Sequence, residues 1–325
     1  MSKSFDSQVD TVYLTEALER RYPCVYKPMK LNLEANGIKV HTVKDTNNIW
    51  IRDYFPVQIN GEFFLFDYTY GHEKWIKKYP QLDVSNKPWS GVIAPIRISH
   101  LVIDGGNIVQ GFGKVILTQK VIEDNGPEVV GILEKLFKAE IIIIPSEPGD
   151  SLGHSDGICN FLDCDTVLIN DYSSVAKKDK AFAHYEERLI KTFGKHKLKT
   201  EKFPFAYAEW DWEMSLRKFR AEFPGADDFN PAFGYYMNFL MVKGLILFPA
   251  MRIKHDIEAM NAVKQFYPGF NIIAIDCSKL SYEGGLLHCV SSSARTASDS
   301  HRPGLAEGDY IYNRRHPLRE GKRKE

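Results

Sequence analysis

The chain has 325 residues, of which 44% are hydrophobic and 26% charged, a balance that buries a sizeable core and excludes intrinsic disorder. Lys plus Arg and Asp plus Glu each total 42, so no net field draws nucleic acid or an anionic membrane from long range, and neither is expected as a partner. Closed α/β architectures reach this length as one unit; a single domain over 1–313 is expected, followed by a basic tail, 314–325 (RRHPLREGKRKE), read as a solvated terminus.

The opening residues show no apolar h-region, and the most apolar run, FGYYMNFLMVKGLILFPAM, is cut by Lys243 and Gly244. A soluble, cytoplasmic protein is the expectation. Cys24, Cys159, Cys164, Cys277 and Cys289 are odd in number and scattered. That is a poor disulfide framework, suits a reducing compartment and leaves room for a working thiol.

In chain order, DYFPVQINGEFFLFDY reads as two apolar strands around an Asn60-Gly61 turn, a strong hairpin signal. The same pattern returns in GGNIVQGFGKVILTQ at Gly111 to Gly113, in ICNFLDCDTVLIND at Asp163 to Asp165, and in YYMNFLMVKGLILFPA at Lys243-Gly244. Helical periodicity in GPEVVGILEKLFKAE and KAFAHYEERLIKTFGKHK is followed each time by a short apolar run such as IIIIP. LLHCVSSS is a last strand-like piece. The first three turns lie roughly fifty residues apart, which suggests a repeated hairpin–helix–strand unit, roughly five in all, arranged about an axis.

Polar segments stand where these hairpins begin: Trp50-Ile51-Arg52-Asp53, Asp104-Gly105-Gly106-Asn107, His154-Ser155-Asp156-Gly157, and Glu283-Gly284-Gly285 leading to His288-Cys289. In a pseudo-symmetric ring, equivalent ends of the units meet near the axis, so four distant segments can line one pocket. Singly, each is weak: an Asp-Gly-Gly is more often a turn exploiting glycine's positive φ, and a lone Cys is more often a buried thiol. His154 and Asp156, read as a strand, project to one face. The spacing His154-x4-Cys159-x4-Cys164 matches no usual zinc pattern, so no metal is expected. GGNIVQGFGK lacks the phosphate-loop pattern, no Gly-x-Ser-x-Gly is present, and no cofactor is indicated.

Together the motifs resemble those of agmatine deiminases and Porphyromonas-type peptidylarginine deiminases, in the guanidine-modifying superfamily. Those proteins carry Trp-x-Arg-Asp, Glu-Gly-Gly, Gly-His-x-Asp and a late Gly-Gly-x-x-His-Cys, and the four segments occur here in that order from Trp50 to Cys289. The resemblance implies a five-bladed, pseudo-symmetric α/β propeller of ββαβ modules, in agreement with the repeat. It implies Cys289 as nucleophile, His154 as general acid/base, and Asp53 and Asp156 as the carboxylates that hold a guanidinium. Asp104, near the His, stands where relatives usually have Glu. Trp50 and Asn238, in YYMNFL, are implied pocket residues. The residues Glu283 to Leu287 depart from the usual Gly-Gly-Gly-Asn-Ile and suggest an altered pocket wall.

A guanidinium is planar, permanently charged and forked, so paired carboxylates orient it, while its resonance-stabilised carbon calls for a thiolate. The implied reaction is hydrolytic deimination of a small guanidino compound, agmatine first, through a covalent Cys289 adduct. Peptidylarginine or free arginine, amidino transfer to an amine, and a catalytically silent guanidine- or protein-binding propeller stand as alternatives. The stretch Phe66 to Gly71, where the peptide-directed branch places arginines, contains none. Relatives are often dimers, so a homodimer stays open, and Pro145 to Gly153 is the candidate loop over the pocket.

Overall fold

The computed structural model describes residues 5–71, 73–150, 152–207, 217 and 231–296. The basic tail and the expected domain boundary at 313 lie outside them. Among the described residues, fifteen strands form five three-stranded sheets, each with the same wiring: a central strand runs antiparallel to one neighbour and parallel to the other. The second sheet contains β3 (Val57–Ile59), β4 (Glu62–Asp67) and β5 (Ile96–Val102); the third, β6 (Val109–Gly111), β7 (Lys114–Thr118) and β8 (Glu140–Ile144). The fourth contains β9 (Cys159–Phe161), β10 (Thr166–Asn170) and β11 (Lys199–Phe203), and the fifth β12 (Leu240–Val242), β13 (Leu245–Ala250) and β14 (Asn271–Asp276). The first sheet joins the two ends of the described chain: β15 (Ser292–Ala294) lies antiparallel to β1 (Thr11–Thr15), which pairs in parallel with β2 (Lys39–Val43). This is the five-bladed α/β propeller expected from the sequence.

Local chemistry explains the units. At the first hairpin Asn60 and Gly61 take φ of 52° and 87°, the double positive value that a two-residue turn needs to match strand twist. The expected turn at Gly111 to Gly113 is made by Phe112 (φ 52°) and Gly113 (φ 73°) alone. Gly111 ends β6, and a Cβ there would fall 2.7 Å from the Phe161 ring, so it serves close packing between blades. The Lys180–Lys195 helix is capped by the Asp179 side chain and buries Phe182, Tyr185, Leu189 and Phe193, one per turn. The Val129–Phe137 helix buries Val129, Leu133 and Phe137, then stops at Lys138 in the left-handed region before β8. β8 pairs in parallel with β7 and packs against both the Val129–Phe137 and the Lys180–Lys195 helices, which explains a run of isoleucines without alternation.

The last strand is shorter than the sequence suggests. Only Ser292–Ala294 pairs, while residues 287–290 form a turn, because Ser291 Oγ and the Ser291 and Val290 amides bond back to carbonyls three or four residues earlier. Beyond β15, Arg295 exchanges two hydrogen bonds with the Gln58 carboxamide of β3 (2.8 and 2.9 Å), and Thr296 bonds twice to Asp10. The closing segment is thus held by its own blade, through Asp10, and by the second blade, through Gln58.

Candidate active site

Every blade is preceded by a short irregular segment, and these segments meet. Ile51–Tyr54 precedes β3, Gly105–Asn107 precedes β6, Ser155–Gly157 precedes β9, Asn238 precedes β12 and the 287–290 turn precedes β15. The first three touch one another in sequence. Gly105 and Gly106 have negative φ, so their value is not conformational freedom. A Cβ on Gly105 would lie 2.0 Å from the Arg52 carbonyl oxygen, and one on Gly106 would lie 2.7 Å from His154 Nδ1 and 2.8 Å from Asp53 Oδ1. Without side chains, the Asp104 segment lets the Asp53 and His154 segments close over it.

His154 sits between two carboxylates. Its Nε2 is 3.2 Å from Asp104 Oδ2 and its Nδ1 is 3.8 Å from Asp53 Oδ1. Asp53 Oδ1 accepts from the Gly106 amide (3.0 Å), and Asp104 Oδ1 from the Thr69 amide (2.9 Å). Burial disfavours charge on the imidazole, but Asp53, the hydrogen bond and charge of Asp104, and more distant Asp156 outweigh it and raise its pKa to about 10. Asp53, buried beside Asp104, is pushed up to about 7, with His154 opposing the shift. The neighbouring carboxylates therefore favour the protonated form of the imidazole.

His154 and Asp156 do not share the face of a strand. They flank Ser155 in a single 3-10 turn, and the partner of Asp156 is His288, with Nδ1···Oδ2 at 2.6 Å. Burial of Asp156 is outweighed by His288, His154 and Arg52, which hold its pKa below the usual carboxylate value. Next to His288, Cys289 is fixed through its backbone: its amide donates to Asn238 Oδ1 (3.3 Å), and its carbonyl accepts from the Arg52 amide (3.2 Å). Arg52 Nε also bonds the His288 carbonyl (3.3 Å). Burial and the charges of Asp156 and Asp53 raise the Cys289 thiol well above its ordinary pKa.

Cys289, His154, Asp156 and Asn238 line one cavity of about 80 Å³. Asp53 and Asp104 are not among its lining residues; they hold His154. Trp50 is also outside the lining. Its ring packs where a Gly285 Cβ would come within 2.3 Å, so the bare backbone at Gly285 lets Trp50 and Cys289 share the space. Gly284, at φ 90°, makes the bend that leads there. Glu283 is no pocket wall. Its carboxylate accepts from Arg21 Nη2 (2.6 Å) and from the Tyr22 hydroxyl, tying the bend to the first blade. Leu286 and Leu287 are wholly buried in the largest core cluster, so the departure from the family pattern anchors the Cys289 turn. In the stretch Pro145 to Gly153, the candidate loop over the pocket, Asp150 accepts from the Leu152 and His154 amides, and Glu147 from the hydroxyls of Tyr172 and Tyr235.

Arg52 stands in the sequence motif, but its clamp on residues 288–289 is not readable there. Neither is Glu147, whose neighbours in sequence carry no motif. Cys159 is buried and Cys164 exposed, and among the described residues no group of three His, Cys, Asp or Glu side chains has metal-holding geometry. Among them, too, no helix is long and apolar enough to cross a membrane.

Proteins with this fold are known from solved structures. C. jejuni agmatine deiminase superposes with a TM-score of 0.66 at 16% identity, covering 91% of this chain and 97% of that one. The agmatine deiminase of Enterococcus faecalis gives 0.62 at 18% identity, covering 90% and 94%. In sequence, the agmatine deiminase of Pseudomonas fluorescens is 22% identical over 300 residues, 82% of this chain and 79% of that protein. The alignments with relatives from Latilactobacillus sakei and Streptococcus mutans span 58% and 57% of those proteins. The profile of the Porphyromonas-type peptidyl-arginine deiminases matches residues 10–294, and the chain belongs to that family.

Proposed function

We propose that this protein hydrolyses the guanidinium of agmatine to N-carbamoylputrescine and ammonia, with Cys289 as nucleophile and His154 as the proton-transfer group. The observation that carries this reading is the convergence of Cys289, His154, Asp156 and Asn238 on one cavity, from segments leading into three different blades, with His154 held between Asp53 and Asp104. The names of its relatives supply the substrate.

The chemistry follows from the charges. On their own, Asp156 and Asp53 oppose ionisation of Cys289. A guanidinium entering beside Asp156 adds a compensating positive charge, favours the thiolate and brings its own electrophilic carbon within reach. The thiol proton passes to solvent as the Cys289 Sγ–carbon bond forms, and the tetrahedral adduct expels one nitrogen, which leaves as ammonia with a proton from His154. The neutral imidazole then takes a proton from water as the water oxygen adds to the amidino-thioether carbon. Collapse of that second adduct breaks the Sγ–carbon bond and releases the ureido product. One histidine serves both transfers, and its raised pKa supplies the acid form needed first.

Ammonia release is the test, over a panel of agmatine, free arginine, a C-terminal-arginine peptide and methylated arginines, with Cys289→Ser as control and EDTA present. Cysteine-dependent release from agmatine is expected. Release from another member alone replaces the substrate; consumption of agmatine only when an amine acceptor is added, without ammonia, assigns amidino transfer. No reaction across the panel refutes the enzymatic reading.

A further inference from the structure

One buried acid on the cavity wall has no place in that chemistry. Glu147 is 4% exposed, and each of its carboxylate oxygens accepts a phenol hydroxyl, from Tyr172 and from Tyr235, both at 2.5 Å. Among the described residues no Lys or Arg pairs with it, and the charge acting on it is that of Asp150, of its own sign. Glu147 bonds to none of the four side chains assigned to the guanidinium. A carboxylate taken out of water beside neutral phenols and a second acid is costly unless a cation joins it.

Its surroundings suit such a cation. Tyr235 and Tyr207 line the same cavity with their rings 5.6 Å apart and nearly perpendicular, and Phe205 backs both. Aromatic faces beside a carboxylate are the usual receptor for an organic ammonium. Among the described residues, no lysine or arginine lines the cavity to receive a carboxylate instead.

We infer that Glu147, with the rings of Tyr207 and Tyr235, is a subsite for an ammonium at the far end of the guanidino substrate, selecting ω-guanidino alkylamines and rejecting substrates that carry an α-carboxylate. The inference rests on the proposed deimination for the placement of the guanidinium end. Its discriminating ligand is pentylguanidine, which has a methyl where agmatine has its ammonium.

Two measurements keep the subsite and the reaction apart. Calorimetric binding is measured with Cys289→Ser protein for agmatine, pentylguanidine and arginine, and again after adding Glu147→Gln; ammonia release from wild type is measured on the same three. Agmatine is expected to bind about 10- to 100-fold more tightly than pentylguanidine, the range of a charged hydrogen bond, and Glu147→Gln is expected to remove most of that gap. In turnover the gap appears in KM, with kcat little different between the two guanidines. Equal binding of agmatine and pentylguanidine overturns the subsite, an outcome that needs no Glu147 variant and so survives a folding failure. A gap that persists in Glu147→Gln overturns it as well. A Glu147-dependent gap without ammonia release leaves the subsite standing and refutes the hydrolysis; equal turnover of both guanidines does the reverse.

Discussion

Replacing Glu147 by Gln in the ligand-free protein changes stability with a sign and size that the structure fixes. Burial moves the carboxyl from 4.5 to about 7, against the opposing effect of the two tyrosine hydroxyls. A folded-state pKa above the unfolded one means that the native state retains the proton longer. The stability this contributes is complete below pH 4.5 and is lost as pH rises through about 7. At about 1.4 kcal/mol per pH unit the full loss is about 3 kcal/mol, and between pH 5.5 and 8.5 it is about 2 kcal/mol. Gln has no proton to lose, so the melting temperature of Glu147→Gln relative to wild type should climb by about 3 °C across that interval for a chain of this size. Any difference in hydrogen bonding between the amide and the acid shifts all points together and leaves the slope untouched. Calorimetric or fluorimetric melting curves at four pH values suffice. A flat difference refutes the reasoning, since it requires Glu147 to have an ordinary pKa and therefore a cation or water already beside it.

Other substitutions probe the packing of the site. Gly285→Ala drives a methyl to 2.3 Å from the Trp50 ring and 3.0 Å from Cys289 Cβ; a loss of about 1–3 kcal/mol in melting experiments is expected, with a larger fall in kcat. Gly131→Ala, in the exposed face of the Val129–Phe137 helix with no atom within 4 Å of the new Cβ, should stabilise by about 0.5–1 kcal/mol in urea titration. Asp53→Asn removes one of the two charges that hold the Cys289 thiol up, so the pH profile of its alkylation by iodoacetamide, followed by mass spectrometry, should move to lower pH.

Much of the fold was legible because turn chemistry is local. Asn60-Gly61 and Lys243-Gly244 mark hairpins by residue type, and the one-per-turn apolar spacing of the Lys180–Lys195 helix needs no distant information. The spacing of the hairpins then announces a ring. What sequence could not provide is pairing between segments far apart. Glu283 finds Arg21 and Tyr22 across more than 260 residues, and Asp156 finds His288 across 132. The strand reading of His154 to Asp156 failed because one hydrogen-bonded turn, with Ile158 N bonded to the Ser155 carbonyl, replaces extended backbone there. The motif glycines were read for positive φ, yet at Gly105 and Gly106 the constraint is the absence of a side chain against the neighbouring segments, which only three-dimensional contact reveals.

The nucleophile rides on the latch. Cys289 lies three residues before β15, whose register with β1 is Thr11 to Ala294, Val12 to Ser293 and Tyr13 to Ser292, reinforced by Gln58 and Asp10. Release of those few bonds would free one side of the turn that carries Cys289 while leaving four sheets intact. Inactivation should therefore run ahead of global melting as the seam opens, and amide exchange at residues 292–296 should track surviving activity more closely than exchange in β7 or β13. Reactivity becomes a gauge of whether the ring is shut.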